Sequence, residues 1–358
     1  MANKLCILPE LLIERLVKHI MDLRFTQMQA WLATLPCFSA GVLSHPVSAS
    51  SDASFRRYFR VVFQGSRGEQ SWIVMDAPPE KEDCRPFIAV SSQLAQLGLN
   101  VPRVVEQDLE LGFLLLSDLG STTYLSALTP SSVEGLYLDA LNALVKLQTQ
   151  GDARLLPGYD AQLLGQEMSL FTDWLGQCHC DLSMSTLEQQ AWLQTQNRLI
   201  DSALAQPQVY VHRDYHSRNL MVTAQHNPGI LDFQDAVQGP LTYDAVSLLR
   251  DCYISWPAEQ VDEWQRAYFL MLCQAGRLSR AEWRSFVQAM DWMGIQRHLK
   301  AAGIFARLYH RDAKAGYLKD IPTTLNYIIQ VGSGYPEMQS LVNWTEKLAF
   351  RLTQVKTG

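Results

Sequence analysis

No stretch of this 358-residue chain couples runs of Lys and Arg to interleaved aromatics, and the formal net charge is −6, so the basic groove that a polyanion needs is missing. Nucleic acid is therefore not an expected partner. A long apolar run is missing as well. The apolar piece from Leu5 to Leu12 is interrupted within a few residues by Glu10, Glu14, Arg15, Lys18 and Asp22, which suits neither a secretory core nor a membrane span. Leu12, Leu16 and Ile20 stand four apart, as on an amphipathic surface helix, and residues 1–24 are expected as a loosely packed leader without a function of its own. A disulfide framework is excluded by seven cysteines, an odd number scattered along the chain, and Cys178-His179-Cys180 lacks the two-residue spacer of a zinc knuckle. Reduced thiols in the cytoplasm fit this usage. No internal repeat or low-complexity tract is visible, and a monomer is expected.

What is present is an ordinary globular composition, 47% apolar and 18% charged, rich enough in core formers to fold unaided. The length favours two lobes with a cleft between them over one compact core. From Val42 to Leu116 the pattern is strand-like. Tyr58 to Phe63, Ser71 to Met75 and Gly112 to Leu116 are short runs of β-formers separated by Gly, Asp and Pro, and between the last two Phe87, Val90, Leu94 and Leu97 take helical spacing. From Ser131 onward the period is helical. Tyr137, Leu141, Leu144 and Val145 share one face, Leu163, Leu170, Phe171 and Trp174 another, and Trp264, Tyr268, Met271 and Leu272 repeat the stripe, as do Trp283, Phe286, Val287 and Met290. These stripes read as core. The expected fold is α+β: a β-rich lobe over 25–117 with one helix, a Gly/Ser/Thr-rich linker over 118–130, and a larger helical lobe over 131–358.

The helical half is interrupted once, where Val209-Tyr210-Val211 and Gly229-Ile230-Leu231 flank a polar loop. That loop reads His212-Arg213-Asp214-Tyr215-His216-Ser217-Arg218-Asn219, and Asp232-Phe233 follows the second run. Phosphoryl transfer to a hydroxyl asks for a carboxylate to take the proton and oxygen ligands to hold magnesium against the phosphates. Asp214, Asn219 and Asp232 stand in the kinase order of base, Asn ligand and Asp ligand. His212 reads as a brace for the loop. Asp235 either assists the metal or anchors the next loop, and Asp244, ahead of the apolar segment Ala245 to Leu249, reads as a helix N-cap. A zinc site on His212 and His216 would require the loop to be helical and a third ligand to come from elsewhere.

On these residues the chain resembles the aminoglycoside phosphotransferase-like kinases, which share the bilobal protein-kinase-like fold but act on small molecules. The twelve-residue interval from Asp232 to Asp244 leaves no room for an activation segment, and no Ala-Pro-Glu follows. Within that superfamily Ser51 to Arg60, Met75 to Glu80, His212 to Met221 and Gly303 to Leu308 resemble the bacterial anomeric kinases of cell-wall recycling, which phosphorylate N-acetylmuramate and N-acetylglucosamine at C1. The resemblance runs from about Phe25 to Phe350. It implies ATP and Mg2+ as cofactors, Asp214 as catalytic base, and Asn219 and Asp232 as metal ligands. It further implies that Ser51, Ser54, Phe55, Arg56 and Arg57 lie in a loop over the ATP phosphates, with Met75 nearby and the adenine against Ser117 and Leu119. Where many kinases carry a phosphate-gripping strand lysine, this chain has Met75, so Arg56, Arg57 or Lys81 would have to supply the charge. For the lactyl carboxylate of N-acetylmuramate the candidate cations, by motif proximity, are Arg218, Arg250 and Arg307. The rival readings are a kinase of the same fold acting on choline, homoserine or an aminoglycoside, and a nucleotide-binding pseudokinase without its lysine.

Overall fold

The computed structural model describes residues 23–50, 55–66 and 68–355. The stripe of Leu12, Leu16 and Ile20, and the loop residues Ser51 and Ser54, lie outside them. The chain parts into two compact units, one running to Ser92 and resuming over Pro102–Asp118, the other made of Gln93–Val101 and everything from Leu119 onward.

The first unit is an antiparallel sheet with a helix, α1, over residues 23–34. Strands β1 (Gly41–Leu43), β2 (Val47–Ser50), β3 (Arg57–Gly65) and β4 (Gly68–Asp76) precede helix α2 (Cys84–Gln96), and β5 (Val104–Asp108) and β6 (Phe113–Ser117) follow it. The sheet order is β1-β3-β4-β6-β5, with β2 also paired to β3. All three anticipated strand runs are there, the first two extended at both ends and the third shifted by one residue. The β3–β4 hairpin closes where Gly65 pairs with Gly68, and the φ of +95° at Gly68 is one that glycine takes without steric cost. Met28, Trp31, Leu32 and Leu35, at helical spacing, bury themselves against Val61, Phe63, Val74, Phe113 and Leu115 of the sheet. Alternation along β3 supplies that apolar face and leaves Arg57 free to reach Asp76.

The second unit is mainly helical: α3 (Tyr124–Ala127), α4 (Val133–Gln150), α5 (Ala161–Leu170) continuing into a π-helical stretch (Phe171–His179), and α6 (Thr186–Leu204) come first. Four short strands follow, β7 (Gln208–Val211), β8 (Leu220–Met221), β9 (Gly229–Ile230) and β10 (Val237–Pro240), then α7 (Tyr243–Leu249), α8 (Ala258–Gln274), α9 (Trp283–Asp312), α10 (Ile321–Gly332) and α11 (Gln339–Val355). The long helix α9 organises this unit, with Ile295, Leu299, Ala302, Phe305 and Ala306 in one cluster with Met168, Phe171, Leu325 and Trp344. Gly303 is where α9 and α5 touch, since a Cβ there would stand 2.3 Å from the Leu170 carbonyl carbon. Three residues earlier on each helix, the same close approach sets Lys300 against Glu167 at 2.9 Å. Among the described residues no helix is long and apolar enough to cross a membrane.

Candidate active site

The polar loop is built by two small antiparallel pairings. Strand β7 pairs with β10 and carries the buried Val209, Tyr210 and Val211 up to His212, while β8 pairs Leu220 with Ile230 and so brings Asn219 alongside Leu231, whose amide donates to the Asn219 carbonyl at 2.9 Å. The chain then bends at two positive-φ residues, Arg213 (+75°) and Asp232 (+62°), conformations that need outside support in a residue with a Cβ. Asp244 supplies it at Arg213. Its fully buried carboxylate accepts from the His212 amide at 2.6 Å and the Arg213 amide at 3.0 Å. The N-cap expected of Asp244 is therefore corrected: Thr242 stands at the N-cap of α7, and Asp244, inside the first turn, turns its carboxylate to the loop. Burial pushes the Asp244 carboxyl up to about 7, against the pull of the two amides.

Further anchors fix the rest of the loop. The Asp214 amide donates to His212 Nδ1 at 3.2 Å, the Tyr215 hydroxyl to the Ala140 carbonyl at 2.8 Å, and the Ser217 amide and hydroxyl to Asp251 Oδ2 at 3.0 and 2.5 Å. Asn219 Nδ2 donates to the Asp214 carbonyl and to Asp232 Oδ2, both at 3.1 Å, and Gln234 Nε2 donates to Asp232 Oδ1 at 2.8 Å. The stretch from His212 to Asn219 is not helical, so the helical premise of a zinc pair on His212 and His216 fails.

Beneath this loop lies a charged cluster that the sequence did not announce. Glu167 accepts from Arg213 Nη2 at 2.6 Å and from Lys300, and its second oxygen accepts from the Tyr159 hydroxyl; Lys300 donates also to the Tyr243 hydroxyl at 3.0 Å. Burial raises the Asp214 carboxyl, but the attraction of Lys300 and then of His216, His212 and Arg213 outweighs it and holds Asp214 below the ordinary carboxylate range. Glu167 is likewise raised by burial and lowered further by Lys300 and Arg213, ending below its ordinary value. Asp214 is thus an anion at neutral pH with Lys300 and Arg213 as the cations that act on it. An ionised carboxylate of that kind can take a proton from a hydroxyl. The donor set around it suits a hard cation: Asn219 Oδ1 receives no hydrogen bond from the described residues, and Asp232 adds a carboxylate.

The other anticipated residues are dispersed. Arg250 is buried and held by Asp291 at 2.6 Å and Gln265 at 3.2 Å, which makes it a packing element of α7 to α9. Arg307 has Arg311 and Asp312 as its charged neighbours near the end of α9, and burial pushes its guanidinium down. Asp235 is exposed, and the neighbour that holds Asp232 is Gln234. In the first unit Met75 is fully buried, Arg57 is bound to Asp76 through Nε at 2.8 Å, and Arg56 pairs with Glu82 at 2.9 Å. Lys81 is exposed beside Phe55, 5.5 Å from its ring, with no carboxylate partner among the described residues. The Ser117 hydroxyl accepts from the Arg103 amide at 2.9 Å, and Leu119, partly exposed, opens the second unit. The sequence signal for Glu167 and Lys300 is slight: one charge each on helix faces otherwise given to Leu164 and Met168, and to Leu299 and Ala302.

The imidazoles make a pH prediction. Burial pushes His212 down to about 4 and His298 down to about 3, so both rings are neutral in the folded chain. A base whose folded pKa lies below its unfolded value adds stability in full above about pH 6.5 and loses it as the pH falls toward the folded value. For His212 the loss should reach about 3 kcal/mol by pH 4. The fall in melting temperature across that window should be steeper for the wild type than for His212→Asn, whose amide gains no proton and in which only the His298 share remains. Identical slopes would show that another group titrates.

The sequence pattern of the phosphotransferase enzyme family matches residues 47–283. The N-acetylmuramate/N-acetylglucosamine kinase of Pseudomonas putida is 48% identical over 294 residues, covering 82% of this chain and 85% of that protein. The protein of the same name from Pseudomonas aeruginosa is 45% identical, covering 89% of this chain and 95% of its own length. Among solved structures the choline kinase LicA from Streptococcus pneumoniae matches with a TM-score of 0.57 at 11% identity, covering 87% of this chain and 99% of that one, and a second LicA structure holds AMP. At that identity the likeness is one of fold.

Proposed function

The chain belongs to the phosphotransferase enzyme family, and from that premise we propose that it transfers the γ-phosphoryl group of ATP to the anomeric C1 hydroxyl of an amino sugar, N-acetylmuramate or N-acetylglucosamine. It is a small-molecule kinase, and the acceptor follows the names of its relatives. One observation carries the chemistry onto particular residues: Asn219 Nδ2 reaches the Asp214 carbonyl and the Asp232 carboxylate at 3.1 Å each, so one side chain ties base and metal ligand together.

In this reading Asp214 orients the acceptor hydroxyl and accepts its proton as the oxygen attacks phosphorus. An anomeric hydroxyl is more acidic than an ordinary alcohol, so a base held ionised by Lys300 and the loop cations is strong enough. Asn219 and Asp232 would hold a magnesium ion, which would supply charge neutralisation at the phosphate oxygens. The family resemblance assigns the nucleotide to Ser51, Ser54, Phe55, Arg56, Arg57, Met75, Ser117 and Leu119, of which Ser51 and Ser54 lie outside the described residues and Met75 is fully buried. Because Arg57 and Arg56 are engaged by Asp76 and Glu82, Lys81 is the preferred replacement for the absent strand lysine. The enzyme works as a cytoplasmic monomer, and its sugar 1-phosphate feeds peptidoglycan recycling.

The test is phosphorus NMR of the product formed from ATP and each sugar. A resonance split into a doublet by H1 is the expected result. Turnover of an amino alcohol or an aminoglycoside with neither sugar accepted would overturn the assignment.

A further inference from the structure

Beside the polar loop the second unit carries an aromatic shelf with a cation on it. The loop doubles back on itself through the His216 amide to the Asp214 carbonyl at 3.0 Å and the Asn219 amide to the His216 carbonyl at 2.9 Å, so Arg218 leaves the same tight turn that bears Asp214. Its guanidinium lies 3.8 Å from the centroid of the Tyr253 ring and 5.7 Å from that of Tyr317. Tyr253 in turn meets the edge of His216 at 5.4 Å, and Tyr317 stacks on Phe305 at 5.7 Å and 20°. All of this rests on partly exposed side chains around Arg218, Tyr253 and Tyr317.

The cation's hydrogen-bonding capacity is unspent. Among the described residues the Arg218 guanidinium makes its two ring contacts and no hydrogen bond or ion pair, whereas Arg213, Arg250, Arg56 and Arg57 each hold a carboxylate. The carboxylate that acts on it through space is Asp320, whose Oδ2 is buried and likewise has no hydrogen-bond partner. A guanidinium over a tyrosine ring keeps its N–H donors, and a carboxylate ligand can meet them with two parallel hydrogen bonds. Arg218 thus keeps donors that no described residue uses.

We propose that Arg218, held between Tyr253 and Tyr317, binds the carboxylate of the lactyl group and so makes the site prefer N-acetylmuramate to N-acetylglucosamine. The inference rests on the acceptor assigned above, with Asp214 at the C1 hydroxyl. The rings give the pyranose an apolar face.

The two sugars differ by that lactyl group, so the measurement is the ratio of their kcat/KM values in wild type, Arg218→Met and Arg218→Lys. Loss of a charge-assisted contact should shift the ratio against N-acetylmuramate by about ten- to a hundredfold in Arg218→Met, mostly through KM, with part recovered in Arg218→Lys. Because N-acetylglucosamine serves as the control inside each variant, a folding defect or a disturbed Asn219 lowers both sugars together. An unchanged ratio overturns the role of Arg218 while leaving the amino-sugar reading in place. A wild-type enzyme inactive on both sugars overturns that reading, and this inference with it.

Discussion

Asp214→Asn should lower kcat for the sugar by a factor of about one hundred to ten thousand while nucleotide affinity stays within about threefold of wild type. The substitution keeps the shape of the side chain and removes the proton acceptor. Among the described residues the hydrogen bonds that fix this turn run from the Asp214 amide to His212 and from Asn219 to the Asp214 carbonyl, and both survive. Titration calorimetry with nucleotide, beside steady-state turnover, checks both halves. Equal loss of turnover and of nucleotide binding would make Asp214 a structural residue. Unchanged turnover would overturn the role of Asp214 as base, whereas nucleotide binding by the wild type without turnover of any acceptor would favour the scaffold reading that Met75, in place of a strand lysine, leaves open.

This loop was legible because its parts are close in sequence. Asp214, Asn219 and Asp232 fall within one short excursion bounded by apolar runs, and the pairing of Leu220 with Ile230 needs only a local turn to bring them together. The same holds for the β3–β4 hairpin and for the helical stripes on α4, α8 and α9. Partners that meet across long separations left no local trace. Glu167 reaches Arg213 across 46 positions, and Asp244 reaches the His212 amide across 32. Local pattern gave Asp244 the role of a cap, since an acid ahead of an apolar segment has that spacing whether its carboxylate serves its own helix or another loop. The short strands β1, β2 and β5 escaped notice because they lack the run of consecutive apolar β-formers that marks β6 and β7. Helix α1 was masked by the boundary drawn through it at residues 24 and 25, though Met28, Trp31, Leu32 and Leu35 keep helical spacing.

The long-range cluster makes the second large prediction. Glu167→Gln should destabilise the chain by about 3–5 kcal/mol, because two cations would lose the carboxylate that neutralises them where water has little access. The side chains of Glu167, Lys300 and Arg213 are only 8%, 12% and 21% exposed. Glutamine still offers a carbonyl oxygen to Arg213, so what is lost is charge more than hydrogen bonding. A double variant separates the two: Glu167→Gln with Lys300→Met removes one stranded cation along with the anion, and its melting temperature should recover part of the loss, with a coupling of about 0.5–3 kcal/mol in the cycle. A single Glu167→Gln variant that melts like wild type would mean that solvent already screens the cluster. Activity supplies a further discrimination. Lys300 acts on both Glu167 and Asp214, so the double variant, even where its stability recovers, should retain a lowered kcat. Recovery of stability without recovery of turnover is the outcome that ties the buried charges beneath the loop to the ionised state of the base above them.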